Sequence, residues 1–420
     1  MSNQLNFIDL FAGAGGLSEG FIQEGYLPIA HVEADAAACN TLRTRMAYHW
    51  LVATGSEDLY ADYLNGKIDR DVLHAAVPRQ VARSTINVEI RPSTLARIYS
   101  EIDSLLRGRE LDLLIGGPPC QAYSLVGRSR DPEGMVEDKR NYLYECYAKF
   151  LGKYRPKKFL FENVTGLLSA KGRDGTRHFD AMRQLFDEFG YDTDFSVISA
   201  KDHGVLQNRK RVVLVGHQKG TVANYPDPEQ WTPNATVSEV FRNLPPLGAG
   251  EGSVSPCRPL SYKSTWLLKA GVSGPLPVTW HQARPHSERD LEIYRIAVTE
   301  WNERRSRLRY SNLPPHLKTH RNKTSFTDRF KVVAENLPFA HTVVAHICKD
   351  GHYYIHPDID QNRSITPREA ARLQSFPDDY YFEGVGPRPS RTHAFRQIGN
   401  AVPVLLSRRI AAKMRRDWDA

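Results

Sequence analysis

The first half of the chain alternates short apolar runs with stretches whose apolar residues recur every three or four positions. The runs at 7–10, 29–32, 111–115, 159–161, 195–198 and 212–215 have the length of strands. Between the fourth and fifth of them, Phe179, Met182, Leu185, Phe186 and Phe189 mark one face of a helix. Strands alternating with helices predict a doubly wound α/β layer, a mostly parallel sheet covered on both faces. Ligands of such a layer bind beyond the carboxyl ends of its strands. Residues 50–108 break the rhythm with a polar, helical excursion that ends on Leu95, Ile98, Ile102 and Leu105, again one helical face. The pattern predicts an insertion there.

After about residue 217 the texture changes. Proline and glycine cluster in YPDPEQWTPN and NLPPLGAGEGSVSP, and the strand–helix alternation is lost. A second, smaller, irregular domain is expected over 218–385. In RSITPREAARLQSF, Thr366, Pro367 and Glu369 have the spacing of a capping box, with proline at the first helical position. The closing stretch QIGNAVPVLLSRRIAAKM reads as a helix with Pro403 in its first turn. Segment 386–420 then returns to pack on the first domain, 1–217.

A net charge of +8 favours an acidic partner, nucleic acid being the commonest. Five cysteines are scattered with no C-x-x-C pair, against a disulfide framework or a zinc site, so a reducing, cytoplasmic compartment is expected. No apolar run approaches the ~20 residues of a membrane span. The N-terminus has no basic flank before its apolar stretch and does not read as a signal peptide.

Candidate chemistry sits where the predicted strands end. In FIDLFAGAGGLSEGF a strand runs into a glycine turn at Gly13, Gly15 and Gly16, and Glu33 closes the next strand, where an acid can bind ribose hydroxyls. A dinucleotide fingerprint needs glycine at position 18, where the chain has Ser18, so the turn suits a nucleoside without a pyrophosphate. In LDLLIGGPPCQAYS a buried strand ends in stiff prolines just before Cys120. A lone cysteine is more often a small buried hydrophobe; Cys120 differs by its position at a strand's carboxyl end. In FLFENV, Glu162 also ends a strand and can converge on Cys120, although such a glutamate is more often a solvated cap. In QNRKRVVLVG, Gln207, Arg209 and Arg211 alternate, which would put all three on one face of a strand.

Taken in order, the glycine turn, PPCQ, ENV, Q-x-R-x-R and GNAVP resemble the cytosine-C5 DNA methyltransferase family over 5–50, 111–217 and 363–414. The resemblance implies the Rossmann-like fold of S-adenosylmethionine-dependent methyltransferases, with a target-recognition domain in the second half. It implies a bacterial restriction–modification enzyme, monomeric, acting on duplex DNA, possessing a cognate endonuclease and needing no metal. Cys120 resembles the family's nucleophile, Glu162 the residue at cytosine N3, and Arg211, with Arg209 beside it, the contact to O2. For S-adenosyl-L-methionine the pattern implies Phe11, Gly13, Ala14, Gly16, Glu33, Pro119, Leu143, Asn400 and Val402, with Glu89 and Ile90 as the best match for the usual adenine contact. Ala34 stands where members often carry a bulky wall. Ser124, Arg128, Arg140 and Gln207 are implied to face DNA, the first three on the family's mobile loop after Cys120. The basic runs WNERRSRLRY and HLKTHRNK suit phosphates.

An RNA cytosine-C5 methyltransferase on the same scaffold remains an alternative, as does an inactive DNA-binding relative. The intact set of Cys120, Glu162, Arg209 and Arg211 argues against the latter.

Overall fold

The computed structural model describes residues 4–119, 143–172, 175–221, 225–262, 264–320 and 327–418. Seven strands form one sheet: β1 (Asn6–Leu10), β2 (Leu27–Glu33), β3 (Thr85–Asn87), β4 (Leu113–Gly116), β5 (Lys158–Asn163), β6 (Tyr191–Ser199) and β7 (Lys210–Gln218). Their order is β3-β2-β1-β4-β5-β7-β6. The first five are parallel, and β7 runs antiparallel to β5 and β6. All six apolar runs in the sequence fall on these strands. The strand β3 was not legible as one: it is a three-residue edge, and it lies inside the stretch that reads as an insertion. The helix Leu95–Leu106 behind it buries Leu95, Ile98, Ile102 and Leu106, with Leu105 half-buried, so 85–106 belongs to the sheet layer.

The central parallel strands β1 and β4 are buried on both faces, as such strands must be, whereas the antiparallel edge strand β6 exposes Phe195 and Val197. On β1, Phe7 faces one apolar cluster and Ile8 and Leu10 the other. The Ile8 side is covered by Leu95–Leu106, Leu143–Tyr154 and His178–Glu188. The Phe7 side is covered by the helix Gly16–Gln23 and by the last helix, Val404–Arg416.

That last helix does return to the first domain, but it is preceded by a separate helix, Arg391–Asn400. The expected single element breaks at Ala401, whose ψ of 153 is extended; Pro403 disfavours helical backbone at the preceding Val402 and caps the new helix rather than entering it. Packing against Gly16–Gln23 is close. A Cβ at Gly20 would lie 2.3 Å from Arg408 N, and one at Gly16 would lie 2.4 Å from Val402 O. Tyr26 donates to Ala411 O at 3.3 Å, and the Ser407 hydroxyl donates to Leu17 O.

A buried bridge ties the end of the region 218–385 to the first domain. Arg45, on the helix Ala36–Ala53, bridges Glu19 at 2.7 Å and Asp379 at 2.9 Å. The capping box forms as read: Thr366 accepts from Glu369 N, and Glu369 accepts from Thr366 N. Glu369 also pairs with the buried Arg363 at 2.7 Å. Glu19 and Glu369 are thereby held well below the usual carboxylate range despite their burial.

Replacing Gly20 by alanine should cost about 1–3 kcal/mol of unfolding free energy through overpacking, although alanine is the better helix former. Gly274→Ala, where a Cβ meets nothing within 4 Å, is the control and should stay within ~0.5 kcal/mol. Urea titration of both variants checks this.

A second outcome concerns pH. His31, fully buried on β2 with neither ring nitrogen hydrogen-bonded among the described residues, is pushed down to about 4 by burial. Burial likewise takes His286 to about 4. Their folded pKa lies below the unfolded value of ~6.5, so the unfolded chain takes up protons first. Their contribution is complete above ~6.5 and is lost as pH falls toward 4. Urea midpoints should therefore decline from pH 7 to pH 5, and less steeply in His31→Leu. Equal slopes in the two chains would contradict this origin.

Candidate active site

The sheet order reverses at β1 and β4, and the segments leaving these two strands open a cleft of about 760 Å³ at their carboxyl ends. One wall is the glycine turn after β1. Phe11 holds a left-handed backbone, φ 57, which is uncommon for a bulky side chain. Gly13, with φ 56, lets its N–H donate to Glu33 Oε2 at 2.8 Å. The other oxygen of Glu33 accepts from Ala34 N and Asp35 N, both at 2.8 Å. Burial raises the Glu33 carboxyl above its ordinary value, partly offset by these three donors. The result is a carboxylate fixed in place at the cleft rim.

Ala14, Gly16, Ile90, Pro119, Leu143, Asn400 and Val402 line the same cleft. The Glu89–Ile90 pair reaches it through the chain that follows β3. Ile90 is buried, whereas Glu89 is mostly exposed and pairs with Arg91 at 3.6 Å, so Ile90 supplies the apolar wall. Thus the residues expected for the cofactor, drawn from six segments, share one cavity.

At the other end stand Glu162 and Arg211. β5 and β7 are neighbours in register, Glu162 opposite Val213, which brings the Arg211 side chain within reach. Arg211 Nε lies 2.5 Å from Glu162 Oε1, and both side chains are about one-eighth exposed (12% and 13%). A Cβ at Gly117 would lie 2.7 Å from Glu162 Oε2, so only glycine leaves this carboxylate its place. Asn163 donates to Pro118 O at 3.1 Å, so the amide of ENV holds the Gly-Gly-Pro-Pro turn two residues before Cys120. Cys120, Ser124, Arg128 and Arg140 lie outside the described residues.

Two expectations are corrected. Gln207, Arg209 and Arg211 do not share a strand face, because β7 begins only at Lys210. Gln207 is fully buried and Arg209 is 1% exposed; neither lines the cleft. Gln207 donates to Leu373 O and Gln374 Oε1, and Arg209 donates to Val343 O, so both bond the protein interior rather than the cleft.

Some cleft residues escaped the sequence reading. His393 and Arg396 sit seven and four places before Asn400 on the helix Arg391–Asn400, a spacing that puts them on the cleft-facing side. Asp9 is the other. It is 1% exposed, lines the cleft, and neither of its oxygens accepts a hydrogen bond among the described residues. Burial pushes its carboxyl well above the usual range, with Ser18 beside it offsetting part of the effect. An acid inside the apolar run NFIDL was the available signal. A cleft with one buried acid, one backbone-fixed acid and an apolar wall suits a cationic nucleoside.

Comparison with known proteins agrees. The family model for C-5 cytosine-specific DNA methylase matches residues 5–80 and 97–416. The type II methyltransferase M.Bpa9945I of Bacillus paralicheniformis is 41% identical, covering 96% of this chain and 97% of its own. M.XorII of Xanthomonas oryzae pv. oryzae is 30% identical, over 97% and 84%. Among solved structures, a prophage-encoded DNA modification methyltransferase of E. coli superposes with a TM-score of 0.64 at 24% identity, covering 99% of this chain and all of its own (100%). The Dnmt2 methyltransferase of S. pombe superposes at 0.51 with 13% identity, over 98% and 99%. These two likenesses speak to the fold.

Proposed function

The chain belongs to the C-5 cytosine-specific DNA methylase family, and from that premise we propose that it takes its methyl group from S-adenosyl-L-methionine, with Cys120 as the nucleophile. The observation that carries this reading is the single cleft that joins the Glu33 cradle to the Glu162–Arg211 pair.

The residues fit the cofactor. Glu33 would accept the two ribose hydroxyls, Phe11 and Ile90 would flank the adenine, and the buried acid Asp9 would face the cationic methionine end. Bound there, the cofactor supplies a methyl group activated by its sulfonium. A target base cannot be reached inside a stacked duplex, so the cytosine enters the cleft flipped out.

Cytosine C5 is a poor nucleophile until C6 is attacked. The Cys120 thiolate adds to C6, and Glu162 holds a proton at N3 as charge moves onto the ring. Arg211 donates to O2. O2 and N3 are neighbours on the pyrimidine edge, so two side chains already in contact present a donor and an acid at matching positions. Once C5 carries the methyl group, loss of the C5 proton and departure of Cys120 restore the aromatic ring. The Arg211–Glu162 pair holds both groups in place before the base arrives, the preorganisation such chemistry needs.

The relatives are named as type II methyltransferases. We infer the same setting here, with an endonuclease that cuts the site this enzyme protects.

Expression in a methylation-free bacterial host, followed by bisulfite sequencing of plasmid and host DNA, tests the reading. The wild type should protect cytosines in one short motif, and Cys120→Ser should leave the DNA at background. Full methylation by Cys120→Ser would overturn the assigned nucleophile.

A further inference from the structure

Arg396 lines the cleft but has no part in the reaction as assigned. It stands on the helix Arg391–Asn400, four places before Asn400, so the two side chains are neighbours on the cleft-facing side. Its side chain is exposed, and among the described residues its guanidinium has neither a hydrogen bond nor an ion pair. Arg91 and Arg211, which line the same cleft, face Glu89 at 3.6 Å and Glu162 at 2.5 Å. Arg391, on the same helix, donates to Ala283 O at 3.1 Å.

The backbone under Arg396 is clamped. Gln397 accepts from Thr41 Oγ1 at 2.6 Å and donates to Glu383 O at 2.9 Å, and Ile398 O accepts from Gln374 Nε2 at 2.7 Å. The Thr41 bond sets this helix against Ala36–Ala53, the helix capped by Asp35. Its far end leads to Val402, whose carbonyl oxygen lies against Gly16. Arg396 thus rises between the Asp35 cap and the glycine turn, where Asp9, Glu33 and Asp35 also line the cleft.

A solvated arginine on a helix is ordinary. This one faces an acidic end of a cleft that suits a cationic nucleoside, and the methionine part of S-adenosylmethionine carries three charges. Its ammonium and sulfonium suit the acids; its carboxylate is repelled by them. Drawing a carboxylate into such a cleft is costly unless a cation meets it. Among the described residues, the other cations of the cleft stand on other walls: Arg91 after β3, Lys149 on Leu143–Tyr154, and Arg211 on β7. A guanidinium offers paired N–H donors that match a carboxylate.

We propose that Arg396 binds the carboxylate of the methionine part of S-adenosylmethionine, as its counter-ion at the acidic end of the cleft. The proposal rests on the S-adenosylmethionine reading of the cleft. It goes beyond it by naming the side chain that tells the intact cofactor from a nucleoside lacking that carboxylate.

Calorimetric titration without DNA tests it, using S-adenosylmethionine and decarboxylated S-adenosylmethionine. The wild type should bind the decarboxylated compound about 30-fold more weakly, the worth of a charge-assisted pair. Arg396→Gln should bind the two within about threefold of each other, since an amide keeps only a neutral hydrogen bond. Arg396→Lys should keep part of the difference. Each ratio is internal to one protein, so partial unfolding of a variant does not move it. Equal binding of both compounds by the wild type overturns the proposal. So does a difference retained in full by Arg396→Gln, and weaker binding of duplex DNA by that variant would then assign the guanidinium to a phosphate. A wild type that binds neither compound would sink the cofactor reading itself.

Discussion

The two ends of the chain must meet for there to be a site at all. The glycine turn after β1 supplies one wall of the cleft and the segment through Asn400 and Val402 supplies another, almost four hundred residues later. Their contact is steric: Gly16 and Gly20 leave room for the backbone of Val402 and Arg408, and any side chain there would push the helices apart. The buried bridge from Glu19 through Arg45 to Asp379 closes the same junction. Removing one member of such a bridge leaves an unpaired buried charge, which costs more than the intact bridge contributes. The irregular second half is thus tethered to the cleft at both of its ends.

That tethering explains where the polar side chains of QNRKR go. The segment enters β7 at the seam between the sheet, the cleft wall at Asn400 and the second half of the chain. Gln207 and Arg209 join these three by hydrogen bonds to backbone, and Arg211 alone emerges into the cleft. One short stretch therefore carries one side chain that lines the cleft and two that bond the protein interior. Alternation in the sequence does not distinguish them, because the strand starts too late for its period to apply.

Most of the sheet was legible because strands buried on both faces must be apolar, and the runs around Phe7, Ile29, Leu113 and Phe159 are. β3 was not, since a three-residue edge containing Thr85 and Asn87 has too few apolar positions to register. Glu33 and Glu162 were readable as acids at strand ends, and both stand in the cleft. Their partners were not readable: the Gly13 N–H and the Arg211 guanidinium are matters of register and turn geometry. Asp9, His393 and Arg396 were missed because each belongs to an element that makes sense without them. The roles of Gln207 and Arg209 depend on carbonyl groups more than 130 residues away, which no local pattern encodes.

In the proposed reaction Cys120 forms a covalent bond to the target base with Glu162 and Arg211 around it. The most direct test is to incubate the protein and S-adenosylmethionine with duplex DNA in which every cytosine carries fluorine at C5. The fluorine cannot leave as the C5 proton does, so the adduct should accumulate. Proteolysis and mass spectrometry should then place DNA, methylated at the fluorinated carbon, on the peptide containing Cys120. An adduct on Cys146, or none while ordinary DNA is methylated by the same preparation, would contradict the account.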